Sequence, residues 1–283
     1  MVQFIANGFL YAAIYLIYGI AFIITFRFCK RFDMSLPAIG TVASYTALYI
    51  QPIGGIVVGL ASGLITASLL GLILQKFIYQ RLNTWIRTSL GGLLASLGLY
   101  IVILNTLSLF FGNNRQSIRR WAVREGFPIF GAKLTIVQLC IISLSLFVSL
   151  LLWAFLRFSR KGKALRALSS DAELASISGL NTSSLNLLAM TIASVTVGVA
   201  GLFQSCDTDL TPNMALYPFM IGVAAGIIGK FSILGVVIGA FILALLQQLS
   251  IIWLPSLWQD TLVFSVLLAV MFFLSKAYSQ NKL

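Results

Sequence analysis

The chain of 283 residues contains no histidine, only seven acidic residues and three cysteines. The lack of histidine excludes a His-based catalytic triad or dyad, a His metal site and a His proton relay. The seven acids are Asp33, Glu125, Asp171, Glu173, Asp207, Asp209 and Asp260, and none falls in the middle of an apolar stretch. A proton-coupled transporter would bury an ionisable residue at mid-membrane, and a voltage sensor would need a row of basic residues inside a span. Neither pattern is present. Cys29, Cys140 and Cys206 are scattered without metal or disulfide spacing and read as small apolar fillers. A phosphate-binding loop is missing too. Gly229-Lys230 comes nearest, but Ala224 stands where the first glycine belongs and Phe231 where Ser or Thr is needed. If ATP drives this protein, another chain binds it.

What the sequence has in abundance is apolar length. It is 59% hydrophobic and 9% charged, with a mean hydropathy of +1.00. A water-soluble domain of this size carries far more charge. Apolar segments of span length, about 20 residues in a bilayer, follow one another and leave no room for a separate soluble domain. They fall near 8–26, 34–50, 53–75, 89–111, 135–156, 187–205, 216–228, 232–252 and 260–275. Segments 34–50 and 216–228 are short and suggest broken or re-entrant helices. The expectation is an all-α integral membrane protein, a polytopic helical bundle of eight to ten transmembrane segments forming one domain over 1–283. The first stretch lacks a preceding Lys or Arg and an obvious cleavage site, so it reads as a retained helix rather than a signal peptide.

The net charge of +12 reads as basic loops against the cytoplasm and anionic lipid heads rather than as a nucleic-acid surface. One set of loops holds Arg27, Lys30, Arg31, Lys76, Arg81, Arg87, Arg157, Arg160, Lys161, Lys163, Arg166, Lys230, Lys276 and Lys282. The opposite set holds Arg115, Arg119, Arg120, Arg124 and Lys133. The larger set should be cytoplasmic, placing the N-terminus outside and the C-terminus inside. The basic loop 112–134 dissents: either it is a genuine exception or a nearby short segment does not cross. Gly55, Gly59 and Gly63, Gly222 and Gly226, and Gly235 and Gly239 recur at four-residue spacing, which lets helix backbones approach closely in lipid.

Residues 157–186 form the longest polar stretch, on the basic side. A short helix is expected there, with Ser169 or Ser170 capping its start and Glu173 in the first turn, where negative charge suits the helix dipole. Gly179 ends it in a left-handed conformation, with Asn181 shortly after. Asp171, Ala175 and Gly179 share a face, and small side chains suit insertion into a groove on a partner. A solvated loop joining two spans accounts for the residues equally well.

The run Arg160-Lys161-Gly162-Lys163-Ala164-Leu165-Arg166-Ala167, followed by Asp171, Ala175 and Gly179-Leu180-Asn181, closely resembles a signature of bacterial ATP-binding cassette (ABC) importer permeases. The family is that of the branched-chain amino acid (LivH-type) permeases, which takes in urea and amide permeases and, more distantly, sugar permeases. Gly8, Tyr11-Ala12 and Tyr18-Gly19 look like its first span. The stretch Ala38-Ile39-Gly40 to Ala43-Ser44-Tyr45 looks like its second. Thr211-Pro212 and Gly222 through Gly239 look like its late glycine-rich region. Two departures stand out: Arg31-Phe32-Asp33-Met34-Ser35 replaces Asn-Phe-Ala-His-Gly, and Gly229-Lys230 replaces a Gly-Gly pair.

The resemblance implies a non-enzymatic permease subunit of an ABC importer in the bacterial inner membrane, carrying a branched-chain amino acid or a similar small polar solute. It implies two ATP-binding subunits, a second permease chain (identical or homologous) and a periplasmic solute-binding protein, with ATP and Mg held by the partner ATPase and no cofactor here. In the family, the 157–186 segment is the coupling helix that docks on the ATPase. Gly162, Ala164, Arg166, Ala167, Asp171, Glu173, Ala175, Gly179 and Asn181 are its candidate residues, with Arg166 and Asp171 the foremost contacts. Gln204, Asp207, Asp209, Thr211 and Asn213 form a polar cluster near the outer end of a span; they are candidates for the solute pathway, and a solvated periplasmic loop is the plainer reading. The rivals are an ATP-independent secondary transporter or channel, for which broken helices are also usual, an intramembrane enzyme and a scaffold.

Overall fold

The computed structural model describes residues 2–81, 89–118, 126–129 and 132–251, with 261, 265 and 268. Arg87, Arg119, Arg120, Arg124, Glu125, Asp260, Lys276 and Lys282 lie outside the described residues, as does the predicted span 260–275 apart from those three positions. In lipid every backbone polar group must be satisfied within its own segment, and the apolar stretches accordingly form helices. They are α1 (Val2–Phe28), α2 (Leu36–Ile73, continued by one π-helical stretch Leu74–Tyr79), α3 (Ser89–Phe111), α4 (Ile136–Phe158), α5 (Arg160–Ser170), α6 (Ala172–Ile177), α7 (Thr182–Asp207), α8 (Leu216–Ile228) and α9 (Ile233–Ser250). Among the described residues, six helices are long and apolar enough to cross a membrane.

The longest of these is two passes. Gly55 has φ +80 inside α2, and the chain reverses there. The Thr46 and Thr66 hydroxyls stand 2.9 Å apart, and a side-chain carbon on Gly59 would sit 2.9 Å from the Ala47 carbonyl oxygen. The expected spans 34–50 and 53–75 are therefore the antiparallel arms of one hairpin. Gly59 and Gly63 do serve helix packing, arm against arm. Gly55 does not: it supplies the left-handed turn that a residue with a Cβ adopts only at a cost.

Helix α1 occupies the middle. It is buried almost throughout from Gly8 to Thr25, with α4, α7, α8 and α9 around it. It is apolar on every side, the pattern of a helix surrounded by others. Small residues bring its neighbours close: a Cβ on Gly19 would lie 2.8 Å from the Gly222 carbonyl oxygen of α8. Helix α7 lies along the α2 hairpin, where Gly201 meets the Gly40 backbone.

Helix α8, with 13 residues, is about 20 Å long, shorter than the hydrocarbon core. It nevertheless joins the two ends of the bundle. Met214, just before it, accepts from the Gln204 amide through its carbonyl (2.8 Å), while Phe231, just after it, stacks on Phe26 at the far end of α1. The segment 216–228 is thus a short crossing, not a re-entrant one.

A two-stranded antiparallel hairpin, β1 (Phe127–Ile129) and β2 (Ala132–Leu134), precedes α4. The Lys133 backbone N–H donates to Gln3 Oε1 (2.8 Å), and Gln116 pairs with Leu210 through both backbone bonds. These ties put Arg115 and Lys133 at the same end as the N-terminus and the end of α7, so these two described cations of the 112–134 loop stand apart from the larger basic set.

The departure at Gly229-Lys230 has a local cost. Lys230 and Phe231 adopt φ +50 and +57, in the region glycine favours after a helix. Lys230→Gly is expected to stabilise the chain by about 1 kcal/mol, since a left-handed non-glycine residue costs that order. A thermal midpoint in detergent that falls instead would show that the Lys230 side chain contributes more than its backbone strain costs.

Candidate functional site

The polar segment 157–186 folds as two short helices joined at a break at Asp171, whose backbone is extended. Ser159 caps α5, its hydroxyl accepting from the Gly162 N–H at 2.8 Å. Gly162 is wedged against the end of α4, where any side chain would meet the Phe155 carbonyl and the Leu156 backbone. Leu165 and Leu168 are buried and hold α5 to the bundle, while Arg160, Lys161, Lys163, Arg166 and Ala167 are exposed and Ala164 is half-buried. The Arg166 guanidinium donates to the Arg157 carbonyl at 3.1 Å.

Asp171 breaks the helix and starts the next one. Its Oδ1 accepts from the Glu173 and Leu174 N–H groups at 2.9 and 3.0 Å, which makes it the cap of α6. Ser169 and Ser170, expected in that role, belong to α5, and the Ser170 hydroxyl donates back to the Arg166 carbonyl. Glu173 lies in the first turn of α6 as expected. Gly179 ends the segment at φ +81, and Asn181 caps α7 by accepting from the Ser184 N–H at 3.1 Å.

The small residues do not form one outward face. Ala175 is buried, as is Gly162, while Asp171 and Gly179 are exposed. What α6 presents instead is a pair of large apolar side chains, Leu174 at 65% and Ile177 at 84% exposure. Two apolar residues three apart in an otherwise polar segment are the sequence signal for this pair.

At the same end lies a buried charged cluster, built on the departure at residues 31–35. Arg31 Nε and Asp33 Oδ2 are 3.4 Å apart, with side chains 8% and 0% exposed. Asp33 Oδ1 accepts from the Ser35 N–H (2.9 Å), the Ser35 hydroxyl (2.6 Å) and the Tyr79 hydroxyl (2.8 Å). Arg31 donates to Gln75 Oε1 at 2.7 Å and stacks over the Tyr79 ring at 3.5 Å. The cluster ties the α1–α2 corner to the π-helical end of α2. Cys29 sits beside it, and burial pushes its thiol up to about 11, with Arg31 lowering it and Asp33 raising it.

The opposite end holds a cavity of about 220 Å³ among α1, α7, α8 and α9. Its walls are Tyr11, Ile14, Tyr15, Gln204, Thr208, Met214, Tyr217, Pro218, Gln247 and Gln248. Two hydrogen-bonded chains frame it. Tyr18 donates to Gln204 Oε1 (3.0 Å), and Gln204 Nε2 donates to the Met214 carbonyl (2.8 Å). Tyr15 donates to Gln247 Oε1 and Gln247 Nε2 to the Tyr217 hydroxyl, both at 2.7 Å.

Of the five predicted pathway residues, Gln204 alone lines this cavity. Asp207 accepts from Gln138 Nε2 at 3.1 Å, Asn213 accepts from the Tyr100 hydroxyl at 3.3 Å, Asp209 is exposed, and Thr211 is half-buried in the connecting loop. The missed residues come from helices distant in sequence. Their signal was the Gln247-Gln248 pair inside an apolar helix and the tyrosines at 11, 15 and 18, all polar groups at membrane depth. Among the described residues, no three of Cys, Asp and Glu lie close enough to share a metal ion.

Comparison with known proteins gives the family. The family model described as the permease component of branched-chain amino acid transport systems matches residues 4–274. The high-affinity branched-chain amino acid transport system permease protein LivH of Escherichia coli is 28% identical over 220 residues, covering 75% of this chain and 70% of LivH. The corresponding BraD of Pseudomonas aeruginosa is 22% identical over 221 residues, covering 75% and 71%. With almost its whole length matched by the family model, the chain belongs to the permease components of branched-chain amino acid transport systems.

Proposed function

We propose that this chain forms part of the membrane pathway of an inner-membrane ABC importer for a branched-chain amino acid or a similarly small polar solute. Two ATP-binding subunits grip the α5–α6 segments, a second permease chain completes the pathway, and a periplasmic binding protein delivers the solute to the cavity end. ATP and Mg are held by the partner subunits, and this chain performs no chemistry. The observation that carries the reading is α6, a capped helix with Leu174 and Ile177 exposed beside the basic side chains of α5. Sidedness supports it. Among the described residues, every Lys and Arg other than Arg115 and Lys133 lies at the α5–α6 end, which the positive-inside rule places in the cytoplasm.

In this mechanism α5 and α6 transmit force through the buried contacts that hold them. Leu165, Leu168 and Ala175 seat the segment on the bundle, Gly162 permits the tight turn from α4, and Asn181 starts α7. A push on α6 therefore reaches α7, which carries Gln204 at the other end. ATP binding and hydrolysis on the partners favour alternately the outward and inward openings of the bundle. The test is gentle detergent extraction with affinity capture and mass spectrometry of what accompanies the chain. A co-purifying chain with a Walker A motif supports the importer. Recovery of the chain alone, still moving solute in ATP-free vesicles, favours the secondary transporter.

A further inference from the structure

The cavity between α1, α7, α8 and α9 has one feature that the fold does not account for. Gln248 is 5% exposed and lines the cavity, yet among the described residues its carboxamide has no hydrogen-bond partner. Its neighbours Gln204 and Gln247 are both committed, each accepting from one tyrosine and donating onward. Its polar atoms open onto the cavity, so their hydrogen bonds are left to water or to a solute. A solute group with both a donor and an acceptor fits them.

The rest of the lining narrows what that group belongs to. No Lys, Arg, Asp or Glu is among the wall residues, so an anionic solute would lose its hydration without a counter-charge; the Asp207 carboxylate, whose charge reaches Tyr11, stands outside the wall on Gln138. A zwitterion or an uncharged dipolar solute meets phenol, hydroxyl and carboxamide groups that serve both polarities. Ile14, Met214 and Pro218 add apolar side chains to the lining. At about 220 Å³ the space falls below the roughly 300–1,000 Å³ of drug-sized sites, which leaves a small solute and excludes a nucleotide or large cofactor.

We infer that this cavity is a solute subsite within a single permease chain, where Gln248 reads the polar head of an aliphatic amino acid and Ile14, Met214 and Pro218 receive its side chain. The inference rests on the importer reading. The carboxylate takes the Gln248 amide and the Tyr11 hydroxyl, and the ammonium takes Gln248 Oε1.

The test uses the intact importer, this chain with its partner subunits, in proteoliposomes, with radiolabelled L-leucine as probe. Gln248→Leu keeps the size and removes the polar atoms. It is expected to lower ATP-driven leucine uptake by about tenfold or more, the scale of one lost hydrogen bond to a charged group, while still co-purifying with the ATP-binding chains. In a background of Cys29→Ser, Cys140→Ser and Cys206→Ser, a Gln248→Cys thiol should react with a methanethiosulfonate reagent more slowly when leucine is present. Unchanged uptake in Gln248→Leu, or a reaction rate that leucine does not alter, overturns the subsite and makes the cavity a water pocket. A wild-type complex that moves no leucine on addition of ATP contradicts the importer reading itself, and the inference falls with it.

Discussion

Aspartate at both Leu174 and Ile177 is expected to release the ATP-binding partner chains while the permease remains folded. The two side chains are 65% and 84% exposed, so their loss removes almost no packing within this chain. In a docked complex each large aliphatic side chain contributes about 1.5–3 kcal/mol when fully buried, and a carboxylate in its place must be desolvated. Together the substitutions should weaken association by about a hundredfold or more, since every 1.4 kcal/mol is tenfold. Affinity capture should then recover this chain without a Walker A partner, and its thermal midpoint should stay close to wild type. Retention of the partner at wild-type yield would move the docking surface elsewhere on α5. Asp171→Ala makes an instructive contrast. It removes the cap that accepts from Glu173 and Leu174, a loss of about 1 kcal/mol, and acts by loosening α6 rather than by deleting a contact.

Asp33→Ala should produce the largest loss of stability. The carboxylate is fully buried, accepts three hydrogen bonds and faces Arg31. Its removal strands a buried guanidinium, and breaking one side of such a pair costs about 3–5 kcal/mol. Tyr79 and Ser35 also lose their acceptor. Replacing both charges, with Arg31→Met and Asp33→Leu together, should cost less than Asp33→Ala alone, because no uncompensated charge remains. Thermal unfolding of the purified chain in detergent separates the cases. A midpoint for Asp33→Ala equal to wild type, or a double variant worse than the single, would mean that water or lipid head groups reach the cluster. The cluster occupies the position at which the sequence departs from the Asn-Phe-Ala-His-Gly of the resembling permeases.

Apolar length made the helices legible, because a bilayer leaves the backbone no alternative. Their arrangement was not legible to the same degree. Helices that are apolar on all sides give no moment to say which is central, and α1 is central because Gly8 and Gly19 admit α9 and α8 at contact distance. The hairpin of α2 was read as two spans, but the glycine that reverses it was grouped with Gly59 and Gly63 by spacing. Spacing alone does not separate a packing glycine from a turning one. At the docking segment, Gly179 and Glu173 sit where helix-end chemistry predicted, while the cap moved to Asp171, a stronger acceptor than the serines that α5 had absorbed. At the cavity end, Gln204 is legible because it belongs to a run of polar residues along the chain, whereas Gln247 and Gln248 stand alone in an apolar helix. The cavity is assembled from four helices, and its traces in the sequence are glutamines and tyrosines set inside apolar helices.

In the proposed mechanism, ATP on partner chains moves a solute through this one. The direct measurement is uptake of radiolabelled L-leucine into proteoliposomes holding the permease, its ATP-binding chains and a periplasmic binding protein, with ATP supplied on the side of α5 and α6. Uptake that appears with ATP and disappears in the Leu174→Asp and Ile177→Asp double variant is the predicted result. Uptake that proceeds without ATP, or that the double variant leaves intact, would contradict it.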